Sequence, residues 1–216
     1  MKTLQVMKVA AAGVAAERVP ALLDECGVRF QPVDVVNWKE YPYAPAVEFR
    51  IAHTGDELLL HFRVTEDSVR AVAREDNGRV WEDACVEFFL QTDDRSPVYY
   101  NFECNCAGRL LLGHGVRGRR EHAAPEVTGS VRRWASLGRE PFEERTGTCA
   151  WEVAEVIPLS ALFRDTVDRL DGKVWRANFY KCGDLLQKPH FLSWNPIDLP
   201  EPCFHCPEFF GQIVFE

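Results

Sequence analysis

No apolar run in the 216 residues approaches the roughly 20 that a membrane-spanning helix requires, so no membrane partner is expected. An excess of positive charge is also missing. Twenty-five basic against 33 acidic residues leave a net charge of −8, which opposes the phosphate attraction behind most nucleic-acid affinity. No nucleic-acid partner is expected either. Methionine is scarce, with only Met1 and Met7. A haem iron held from the body of the chain would therefore need two histidines rather than methionine. Internal repeats and linker-like stretches are absent, so residues 1–216 read as one domain.

Eight cysteines are many, yet their spacing is not the dense framework of a small secreted domain, and a core of this size needs no covalent staples. Cys85 and Cys104 sit inside apolar strand patterns, where free cysteine acts as a small hydrophobe. Cys203-Phe204-His205-Cys206, with Cys182 and His190 upstream, makes zinc conceivable but lacks a second properly spaced pair. Metal binding is left unassigned. The run Arg117-Gly118-Arg119-Arg120, followed by Arg132-Arg133, reads as a solvated loop face or a local anion patch. Met1–Ala16 has a secretory flavour, but Lys8 interrupts its apolar stretch and Leu4–Val9 reads equally as a first strand. Localisation leans cytoplasmic, with secretion or the periplasm open.

What the chain does have is short alternating segments. Residues 46–51 and 57–64 flank a turn and read as an antiparallel hairpin. Residues 84–90 form the most apolar strand, followed by 98–105 and 109–112 in a meander. Residues 113–140 read as irregular loops with a short helical turn near Val131. Further strands are expected at 149–157, 174–181 and 211–215, with one helical turn at 158–163. Nine or ten strands with almost no helix predict an all-β fold, an antiparallel β-sandwich or jelly roll with short helical turns in its loops.

Two strands carry polar faces that a sandwich core would not tolerate: Asn101, Glu103, Asn105 and Arg176, Asn178, Tyr180. Such faces meet water, a partner or a ligand. Trp81 sits in an acidic segment beside the central strand and Phe204 in a Pro-rich stretch, whereas Trp38, Trp151, Trp175 and Trp194 suit core or loop anchoring. Aromatic rings flanking polar strand residues suit a sugar, whose C–H faces pack on rings and whose hydroxyls need donors and acceptors.

The segments 79–89, 100–105, 177–180, 192–194 and 207–211, in that order, resemble the family 9 carbohydrate-binding modules and related stand-alone domains of bacterial sugar-using pathways. The resemblance implies non-catalytic binding of a mono- or oligosaccharide, such as a glucose-type chain end, between two aromatic rings. On this chain the rings would be Trp81 and Phe204, with Glu87, Glu103, Asn105, Asn178 and Tyr180 as polar contacts. Two positions depart from the xylanase-attached module: Phe204 replaces a tryptophan and Glu103 an arginine. Members of the family can hold structural calcium; here Glu66-Asp67 and Asp93-Asp94 read only as acidic turns.

Three alternatives fit the same residues. Glu87 and Glu103 on neighbouring strands could serve a glycosidase if their carboxyl groups were suitably separated. A haem-binding electron-transfer domain is the second. A protein-interaction module using an exposed Trp81 and Phe204 is the third.

Overall fold

A computed structural model describes the whole chain, Met1–Glu216. In chain order its elements are β1 (Thr3–Lys8), α1 (Val19–Glu25), β2 (Gln31–Pro32), β3 (Val35–Val36), β4 (Ala46–His53), β5 (Glu57–Ala71), β6 (Cys85–Gln91), β7 (Tyr99–Asn105), β8 (Leu110–Val116), β9 (Arg119–His122), α2 (Pro125–Ser130), β10 (Arg132–Ala135), β11 (Phe142–Pro158), β12 (Val174–Cys182), β13 (Phe191–Ser193) and β14 (Gly211–Phe215).

Two layers face each other. One has the order β9-β8-β7-β6-β12-β14 and the other β10-β11-β5-β4. Strand β1 joins them: residues 3–6 pair with β14, and Met7 and Lys8 pair with β4. Period-two alternation drives this packing, because each strand sends every second side chain inward. Phe88, Phe102 and Phe179 from the first layer meet Phe49, Phe62 and Val64 from the second in one large core. Phe49 stacks on Phe179 with ring centroids 3.6 Å apart, so the layers are in direct contact.

The sandwich is as expected, but it is not purely antiparallel: β1 runs parallel to both β14 and β4. Residues 113–140 also differ from the loop expected there. They continue β8, turn at Gly118 with φ +76°, return as β9, and then form α2 and β10. Their arginines hid the alternation, since Arg133 uses its length to reach Asp76 at 2.7 Å. Glu66 and Asp67 likewise lie inside β5 and not in a turn.

Polar groups sit inside the core. Lys181 of β12 is fully buried and pairs with Glu66 at 2.9 Å, while His190 lies 2.7 Å from the same ammonium. Trp151 donates its indole N–H to Glu66 at 2.6 Å. Burial and the Lys181 charge hold His190 down at about 2, so its ring is neutral and accepts from Lys181.

Candidate functional site

The outward face of the first layer is roofed by loops and not open to water. Its residues Cys85, Phe89, Tyr99, Leu111, Tyr180 and Cys182 join Trp38, Phe204 and Phe210 in a second apolar cluster. Beside that cluster is a cavity of about 270 Å³. Its floor is Glu87 of β6, Glu103 of β7, Leu111 of β8 and Cys182 of β12. Strand register puts them there: Glu87 lies directly opposite Glu103, and Glu103 opposite Leu111, so their side chains project from one face. The walls are Trp81, Phe191, Phe204 and His205, with Arg120 and His122 from β9 and Asp184 just after β12.

Trp81 stands on a single 3-10 turn, Val80–Glu82. Its backbone carbonyl accepts the Asp184 N–H at 3.2 Å, which fixes the turn to the end of β12. The indole is half-buried, and the Arg79 guanidinium lies 5.8 Å from its centre. Phe204 is only 8% exposed. One of its faces is taken by Tyr180, stacked at 4.2 Å with an 8° tilt, and the Tyr180 hydroxyl donates to the Phe204 carbonyl at 3.2 Å. Phe204 thus lines the cavity as a supported ring, and an interaction module using it as an exposed anchor is not what the fold offers.

The charges in the cavity are unusual. Burial, then the neighbouring Glu103, push the Glu87 carboxyl well above the ordinary carboxylate range. Burial pushes Glu103 up to about 7, against the pull of the Asn101 amide at 2.9 Å and of Arg120. Asp184 rises to about 6, by burial and then Glu82. Both carboxyls of the cross-strand pair are thus held toward the protonated form, by burial above all. His205 is held down at about 3 by burial and is neutral; its Nδ1 meets the Tyr99 hydroxyl at 2.9 Å.

Of the seven expected contact residues, Trp81, Glu87, Glu103 and Phe204 line the cavity. The other three do not. Asn105 spends its amide on Asp83 at 2.9 Å and its carbonyl on the N–H groups of Ala107 and Arg109, which builds the β7–β8 turn. Asn178 clamps Asn195, accepting its N–H at 2.8 Å and donating to its carbonyl at 3.0 Å. Tyr180 acts from beneath Phe204. Parity placed these three on the outward face but could not show that loops had already claimed them.

Arg120, His122, Asp184 and His205 were missed. The only signal for Arg120 was the basic run, which otherwise read as solvent-facing; the β8–β9 hairpin turns this one member inward. The Cys203–Cys206 segment does not gather with Cys182 and His190 as a zinc site. Cys206 turns back on the Cys203 carbonyl at 3.2 Å, and His190 is held by Lys181 in the core. Of the two acidic pairs, Glu66 is paired with Lys181 in the core, Asp67 with Lys188 and Asp93 with Arg95.

A second depression, of about 300 Å³, lies on the other layer near Trp134. Its polar side chains are already paired, Arg63 with Glu48 at 2.7 Å and Glu152 with His61 at 2.8 Å, which leaves it less to offer a ligand.

Residues 17–215 match the family described as carbohydrate-binding family 9. The chain belongs to that family. Within the same fold, a crystal structure of a Bacteroides uniformis protein provisionally classed as carbohydrate-binding is 62% identical, with a TM-score of 0.97 over 100% of this chain and 99% of that one. Two structures of a family 9 module from Caldicellulosiruptor kristjanssonii, in complex with glucose and with cellotriose, are each 13% identical. They cover all of this chain and 96% and 94% of their own, with TM-scores of 0.60 and 0.63. At that identity they show the family 9 fold alone. No curated protein matches the chain.

Proposed function

We propose that this family 9 domain binds a mono- or oligosaccharide in the cavity between Trp81 and Phe204, and binds it without transforming it. One observation carries the reading: two aromatic residues far apart in sequence line one cavity whose floor is a cross-strand pair of glutamates. A pyranose places a C–H face on the half-buried indole, the larger and freer of the two rings. Its hydroxyls donate to Glu103 and accept from protonated Glu87 and from Arg120, so each buried polar group gains a partner. At about 270 Å³ the cavity lies just below the usual range of ligand pockets, roughly 300–1,000 Å³, and suits one sugar ring, such as a chain end, better than the middle of a chain.

Glucose and cellotriose, the ligands of the Caldicellulosiruptor modules, are the first probes for calorimetry. Trp81→Ala should weaken binding by about tenfold or more, equivalent to roughly 1.4 kcal/mol. Glu103→Gln should weaken it while leaving the fold intact by circular dichroism. If Trp81→Ala binds every sugar that the parent binds, equally well, the site is wrong. Release of the aryl group from aryl glycosides by the parent, abolished in Glu103→Gln, would overturn the non-catalytic part.

A further inference from the structure

Below the sugar cavity are two thiols that sugar binding does not use, beside Glu87, whose contact with a sugar hydroxyl a bound ion would replace. Cys85 and Cys182 face each other across β6 and β12, and Glu87 lies on the same face two residues beyond Cys85. One sulfur from each cysteine and one Glu87 oxygen all lie within 4.8 Å of one another, and all three residues are at most 3% exposed. The Cys182 thiol donates to Glu87 Oε1 at 3.1 Å. We propose that these three residues form a zinc site, with Cys85 and Cys182 as thiolate ligands, Glu87 as a carboxylate ligand and the fourth position open to the cavity.

The three ligand atoms are close enough to converge on one ion. Zinc takes sulfur at about 2.3 Å and carboxylate oxygen at about 2.0–2.2 Å in a tetrahedron, which sets ligand atoms roughly 3.3–3.8 Å apart. The Cys182 sulfur and the Glu87 oxygen already stand 3.1 Å apart and no separation in the set exceeds 4.8 Å, so closing it takes shifts of about 1 Å on paired strands. Two thiolates select a thiophilic ion, and the carboxylate favours divalent zinc over monovalent copper. There is an entry path as well: Cys182 and Glu87 line the cavity floor, so an ion can reach them without unfolding the sheet. Binding exchanges protons and not electrons: Zn²⁺ displaces one proton from each thiol and one from the Glu87 carboxyl, and all three leave to solvent. The resulting centre carries one negative charge, with the cations of Lys181 and Arg120 near enough to act on these groups.

The test uses the full chain, kept reduced, with zinc in equilibrium dialysis and cobalt(II) as the spectroscopic probe. The proposal expects one metal per chain, tetrahedral cobalt bands in the visible and a thiolate-to-cobalt charge-transfer band. Cys85→Ser and Cys182→Ser should each lose affinity by more than the 10–100-fold typical of outer-shell changes, and isosteric Glu87→Gln should weaken binding while both sulfur bands persist. Cys26→Ser, at the far end of α1, serves as the control and should change nothing. The site is refuted if the parent shows no thiolate band. It is also refuted if the band survives in both folded serine variants or disappears instead in Cys203→Ser. Because the parent alone answers the first question, poor folding of a variant cannot rescue the idea.

Discussion

Glu155 shows how a single residue can set the pH response of this protein. It projects from β11 into the core at 2% exposure, with one carboxylate oxygen lacking any partner. Burial pushes its carboxyl up to about 7, against the pull of Arg133 across the strand pair and of the Cys104 thiol. In the unfolded chain it titrates near 4.3. Between those values the folded state holds more protons, so stability is lost as pH rises from about 4.5 to 7 and stays lower above. Glu155→Gln should therefore raise the melting temperature at pH 8 and do little at pH 4, with a difference of up to about 3 kcal/mol between the two conditions. Equal effects at both pH values in calorimetry would show that charge is not the cause. Lys181 tests the opposite case. Lys181→Met strands Glu66 as a buried lone charge and should cost about 3–5 kcal/mol, while adding Glu66→Leu should recover most of it; denaturant unfolding of both variants distinguishes these results.

At the scale of elements, the roof of the cavity depends on one clamp. Asn178 on β12 holds the backbone of Asn195, at the start of the loop that carries Phe204 and His205. Asn178→Ala leaves two buried peptide groups without partners, at a cost of about 2–4 kcal/mol. Hydrogen exchange should quicken across residues 195–206 before it does in β6 and β7. Uniform acceleration would mean that the loop is held elsewhere. Most strands were legible from alternation, because Phe88, Phe102 and Phe179 mark one face without ambiguity. Helix α1 was not, since seven residues beginning Val19-Pro20 show scarcely two turns of periodicity. The site was half legible. Trp81 and Phe204 stood out against polar surroundings, whereas Arg120 and Asp184 reach the cavity only through hairpin twist and strand ending, and neither leaves a local pattern.

For the whole molecule, β1 is the seam. Val6 is fully buried in the main core while the strand divides its hydrogen bonds between the two layers. Removing residues 1–8 should therefore destabilise both layers together, giving one cooperative transition at lower temperature in place of two. The parallel pairing of β1 with β14 has a further consequence. Because Thr3 lies opposite Gln212 and the Glu216 amide reaches the Val6 carbonyl, the two chain ends emerge at opposite ends of one shared ribbon. Circularising the polypeptide would take a linker that runs back along that ribbon, about 17–20 Å at 3.3 Å per residue. A permutant closed with fewer than five or six residues would pull the seam apart, and one with a longer bridge would leave the cavity beside Trp81 untouched.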